Sequence, residues 1–218
     1  MVHTLKVLQR AIPWQGEKSM RVSNWSAIGL LTIAIASASG QARDYKDTYT
    51  ASDAGKPMAP AKALDVMLTQ LETEVMGVAQ AMPAEKYSFA PTAETFAPGS
   101  PAKFGTVRTF AGQLTHIAGA NYHFYSLVSG TTPPAASKQV RDLKTKDEIL
   151  AALKQSFAYS HAQIMMITPQ NAFIGIEGLD GFHTPATLAA FAVAHGYDHY
   201  GQLVEYLRMN GVVPPGSN

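Results

Sequence analysis

Four stretches of this 218-residue chain place apolar side chains every three or four positions, and each is closed by residues that start or stop helices. That recurrence constrains the fold most, because a stripe of this period buries itself on a helix rather than a strand. The first stretch, residues 61–82, carries Leu64, Met67, Leu68, Leu71, Val75, Val78 and Met82 between Pro60 and Pro83. A Pro-rich connection follows to about Lys103. The second runs from about Thr106 to Ser129, with Val107, Phe110, Leu114, Ile117, Asn121, Phe124 and Val128, and stops at Gly130 and Pro133-Pro134. The third opens on Thr145-Lys-Asp-Glu148, a capping box in which hydroxyl and carboxylate satisfy orphan backbone donors. Its stripe is Leu150, Leu153, Phe157, His161 and Ile164, with Met165-Met166 expected in the core and Pro169 beyond. The fourth starts at Thr184 as N-cap with Pro185 behind it, and closes at Gly211 before Pro214-Pro215. A short hairpin around Phe173 to Phe182 is the competing strand reading. Four amphipathic helices without an internal repeat predict an all-α fold, a four-helix bundle over residues 60–215.

Ahead of the first stripe, Trp25 to Ala36 form an apolar run of about a dozen residues. A spanning helix needs roughly 20, so no stable membrane span is expected. Small residues from Ser37 to Ala42 follow, and Ala36-Ser37-Ala38 supplies a small-x-small cleavage pattern, as in a secretory signal. Met20-Arg21 stands just before the run, so translation beginning at Met20 is one reading of the start. A buried helix of the domain is the competing reading, but the abruptly polar Arg43-Asp44-Tyr45-Lys46-Asp47 favours the signal. The expected organisation is a signal region over 1–42, a polar linker over 43–59 and the helical domain, exported to a bacterial periplasm.

Charge and cysteine then narrow the chemistry. Seventeen basic and 16 acidic residues give a net charge of +1, so no overall field draws the chain to nucleic acid. Removing the leader leaves 13 basic and 15 acidic residues. There is no cysteine, which excludes a disulfide framework, a thiolate-held zinc or iron–sulfur cluster, and a thiol nucleophile. Any metal must be held by nitrogen or oxygen.

His195 and His199 are four apart and leave the same face of the last helix, the one that carries Leu188, Ala192, Gln202, Leu203 and Tyr206. Burying two imidazoles on an apolar stripe costs about 1–3 kcal/mol each unless they gain partners. A divalent metal suits that spacing, although two ligands hold it poorly. His116 projects from the second helix beside Thr109, Gly112, Ala120 and His123, a face of mostly small residues that leaves room for a ligand. A bundle makes these two helices neighbours, so His116 can complete a three-His set with open positions. Against this, seven histidines produce one such pair by chance in roughly a fifth of chains. On these residues alone, a metal-free histidine core stands beside the metal site.

The last helix, His195-Gly-Tyr-Asp-His199-Tyr-Gly-Gln-Leu-Val-Glu-Tyr-Leu-Arg-Met-Asn-Gly-Val-Val-Pro-Pro215, resembles the closing helix of the DinB-like (DinB/YfiT) metalloenzyme superfamily. Thr109-Phe-Ala-Gly-Gln-Leu-Thr-His116-Ile-Ala-Gly-Ala-Asn121 resembles that family's first-ligand segment, and Tyr87-Ser-Phe-Ala-Pro91 its aromatic–proline connection. The likeness covers about residues 60 to 215. It implies an antiparallel-type bundle in which His116, His195 and His199 hold a divalent metal ion, commonly nickel, zinc, manganese or iron. It also implies a homodimer, and activities such as thiol S-transfer, thiol-dependent isomerisation or hydrolysis of a small molecule. Relatives are mostly cytoplasmic, so an exported member sits awkwardly with a cytosolic thiol cosubstrate.

Other residues carry weaker signals. His161, on the third helix's core stripe, is a candidate for the pocket or a satisfied core histidine. His123, two turns beyond His116, can line the same cleft but is too far away to share the metal. Gln202, one turn past His199, is placed for a substrate or ligand-supporting contact. Asp198 points away from the histidine face and is expected to cap or pair, and His183 to lie on a surface loop. The expected function is activation of water or a thiol by a three-His metal site acting on an unknown small molecule. The alternative is a non-catalytic binding bundle with a structural metal.

Overall fold

The computed structural model describes residues 54–216, apart from positions 96, 97, 100, 102 and 180. The expected signal region, and the linker as far as residue 53, lie outside the described residues. Among the described residues four α-helices form: α1 Pro60–Ala81, α2 Phe110–Ser129, α3 Lys146–Ile164 and α4 Pro185–Met209. No described helix is long and apolar enough to cross a membrane.

Local chemistry sets the helix ends. α2 begins at Phe110, four residues later than Thr106, because its first donors are satisfied there. The Thr109 hydroxyl accepts from the amide of Gly112. The amides of Phe110 and Ala111 donate to the carbonyls of Phe89 and Tyr87, so the Pro-rich connection docks on the helix start. Capping boxes open α3 (Thr145 with Glu148) and α4 (Thr184 with Thr187). At the end of α1, Lys146 Nζ donates to the carbonyls of Gln80 and Met82 at 2.7 and 2.8 Å, tying α3 to α1.

α1 packs against α3 and α4, and α2 packs against the same two, leaving α1 and α2 on one diagonal and α3 and α4 on the other. Contacts that advance together show α2 parallel to α3: Asn121 meets Ser156, Ser126 meets Tyr159, and Thr131 meets Gln163. Contacts that run in opposite order show α2 antiparallel to α4, since Gln113 meets Gln202 whereas Phe124 meets Phe191. The bundle therefore includes a parallel pair and is not antiparallel throughout. A parallel pair needs a connection that travels back along the bundle. Residues 130–145 supply it, lying against α2 with two short 3-10 turns, Ala135–Lys138 and Val140–Asp142.

The core is apolar and continuous, with Leu68, Leu71, Val75, Phe110, Leu114, Leu153, Phe157 and Leu188 fully buried. Three expectations change. Met67 is 45% exposed and lies off the buried face of α1. Met165 and Met166 are half exposed, because the helix ends at Ile164 and the chain turns there. The expected hairpin at 173–182 reduces, among the described residues, to one antiparallel bridge between Leu179 and Phe182.

Candidate metal centre

The seam between α2 and α4 brings three imidazoles together. His195 and His199 leave one face of α4 a turn apart, and α2 presents His116 opposite them. His195 Nε2 lies 3.2 Å from His116 Nε2 and 3.2 Å from His199 Nε2. One nitrogen from each ring falls within 4.8 Å of the others, and this is the one such group of three or more metal-ligating side chains among the described residues. His199 is buried, and His116 and His195 are half-buried.

These distances fit a single ion. Imidazole nitrogens bind zinc at about 2.0–2.1 Å, which sets two ligands about 2.8–3.4 Å apart between octahedral and tetrahedral angles. Hydrogen bonding alone satisfies the group poorly. Two neutral imidazoles facing through Nε2 share one proton, leaving the third inward nitrogen with either a surplus lone pair or a clashing proton. Three converging lone pairs call for a cation.

The electrostatics keep those lone pairs free. Burial, followed by the Arg108 guanidinium and the other two histidines, pushes His116 down to about 4. Burial and the neighbouring His195 push His199 down to about 4 as well. His195 is lowered chiefly by burial. All three are neutral near pH 7, the form that binds metal.

The surroundings fix the rings in place. Phe124 meets the His195 ring edge-on with centroids 5.1 Å apart, and Phe191, packed 5.4 Å from Phe124, lies on the same side at 6.2 Å. Gly196, between the two α4 histidines, lets α4 approach α1, since a Cβ there would sit 2.3 Å from Leu71 Cδ2. Buried Gln113 donates from Nε2 to Gln202 Oε1 at 2.6 Å, and Gln202 Nε2 donates to Asp198 Oδ2 at 3.2 Å. This amide chain ties α2 to α4 beside the histidines.

The other candidates fall elsewhere. His123 is exposed on the outer flank of α2, and the exposed His183 accepts from the amide of Gly181. His161 occupies the opposite seam, between α1 and α3. Its Nδ1 is in a short hydrogen bond with Asp65, and its Nε2 lies 3.1 Å from Glu72 Oε2. Burial opposes a charge on His161, but the two carboxylate bonds outweigh it and raise the group to about 9. It is an imidazolium cross-link, separate from the histidine group. Its partners were readable in principle, since Asp65 and Glu72 are seven apart on one face of α1. Gln113, Phe124, Phe191 and Arg108 carried no separate sequence signal, because their roles come from the α2–α4 pairing.

A bundle with three neutral histidines converging between its second and fourth helices defines the class: an all-α protein with a histidine group that could hold a metal ion. The chain belongs to the DinB superfamily, whose family model matches residues 67–203. The match spans all three histidines, the whole of α2, and α4 as far as Leu203. Comparison with curated proteins returned no match.

Proposed function

We propose that the protein is a metal-dependent enzyme in which His116, His195 and His199 hold a divalent ion that acts on a small molecule by hydrolysis or S-transfer. The convergence of three neutral ring nitrogens within one ion's coordination range carries this reading. Bound there, such an ion supplies Lewis acidity that makes water or a thiol nucleophilic near neutral pH. Three protein ligands leave positions open for that purpose, as catalytic sites do and structural sites do not.

The chain's own residues complete the site. Phe124 and Phe191 shield one side of His195 from water, and the Gln113–Gln202–Asp198 chain holds the ligand helices in register. Arg108 lies close enough to act on the charge of all three histidines, so the mouth of the site favours anions. The proposal includes export, carried by the apolar run and small residues of positions 25–42. Outside the cytoplasm, water is the better supplied nucleophile.

Cobalt substitution tests the reading. An open coordination position takes up azide or a small thiol and changes the visible absorption of the cobalt protein. A spectrum that neither ligand alters denotes a closed, structural metal and removes the catalytic reading.

A further inference from the structure

The 130–145 crossover runs along the outer flank of α2, anchored by buried Val140 and half-buried Leu143. Two cavities of about 340 and 370 Å³ lie along this flank. The first is lined by Thr109, Gly112, Thr115 and Lys144 among others, and the second by Gly119, His123, Ser137 and Lys138. Arg141 lines both, and no carboxylate lines either. His116 stands on α2 one turn from Gly112 and one turn from Gly119, between the residues that line the two cavities. At Gly119 a Cβ would meet nothing within 4 Å, so the floor is open there.

The crossover carries three cations, Lys138, Arg141 and Lys144, against one carboxylate, Asp142. The ion pairs among the described residues are His161 with Asp65 and Glu72, and Arg208 with Glu205. The side chains of Lys138, Arg141 and Lys144 have no hydrogen-bond or ion-pair partner among the described residues. Three cations spaced three residues apart repel one another, and a bound anion relieves that repulsion. Arginine adds a planar fork that matches a carboxylate or a phosphate.

We infer that this trench holds the anionic group of a small organic substrate, with Arg141 as its anchor and Lys138 and Lys144 beside it. Naming that anion as substrate of the three-His centre rests on the function proposed above; the binding itself does not.

The test uses ¹⁵N-labelled protein, metal-loaded and metal-depleted, titrated with succinate, glycerol 3-phosphate and uncharged succinamide. The expected result is saturable movement of the Gly119 and Arg141 amides with one or both anions and none with succinamide. The tighter anion tells a carboxylate site from a phosphate site. Arg141→Ala should weaken binding by about ten- to a hundredfold, Arg141→Lys by less, and His195→Ala should leave it in place. Persistence of binding in metal-depleted protein separates this inference from the metal reading. Shifts scattered over surface lysines, equal binding of succinamide, or full affinity in a folded Arg141→Ala protein overturns it.

Discussion

The Nε2 atoms of His116 and His195 lie 3.2 Å apart, although 79 positions separate the two residues in the chain. Both are held neutral, His116 down to about 4 and His195 below its ordinary 6.5, so the ligand set needs no deprotonation near pH 7. Zinc affinity, measured by competition with a chromophoric chelator, should hold through pH 6.5 and collapse toward pH 4, where His116 and His199 take up protons. Ordinary histidines would lose ligand strength from about pH 6.5 downward. A decline that starts at 6.5 contradicts the burial account.

On the opposite seam, His161 bridges Asp65 and Glu72 with a folded-state value near 9, above its ordinary 6.5. A raised value means that the folded state holds the proton more tightly. The stabilisation is therefore complete below pH 6.5 and lost as pH rises through 9. His161→Gln should cost about 1–3 kcal/mol at pH 6–7 and flatten the decline in melting temperature between pH 7 and 9.5. Parallel wild-type and variant curves across that window would exclude the cross-link.

At Gly196, α4 packs directly against Leu71 of α1, leaving no room for a Cβ. Gly196→Ala should destabilise the fold by about 1–3 kcal/mol through overpacking and weaken metal binding, because Gly196 sits between two ligands. Leu71→Ala combined with Gly196→Ala should recover part of both losses, by chemical denaturation and metal titration. Independent, additive effects would place the strain elsewhere.

Much of this was legible in the sequence. Helix period and capping residues gave α3 and α4 nearly to the residue, because Thr145–Glu148 and Thr184-Pro185 act locally. α2 starts later than its periodicity predicts because its first amides depend on the Tyr87 and Phe89 carbonyls arriving from another segment. The histidine pair at i and i+4 was visible, but joining His116 to it needed the α2–α4 seam. His161 lay on a core stripe as read, yet its chemistry depends on which helix faces it, and α1 supplies two carboxylates. Met165 and Met166 looked apolar enough for the core and are exposed because hydrophobicity alone does not show where a helix ends.

The most direct test of the central claim is metal content of the purified protein after growth in metal-supplemented medium, for wild type and the His116→Ala, His195→Ala and His199→Ala variants. Circular dichroism would confirm that each remains helical. The expected result is about one divalent ion per wild-type chain and its loss from each folded variant. Equal metal content in all four proteins, or none in any, would contradict it.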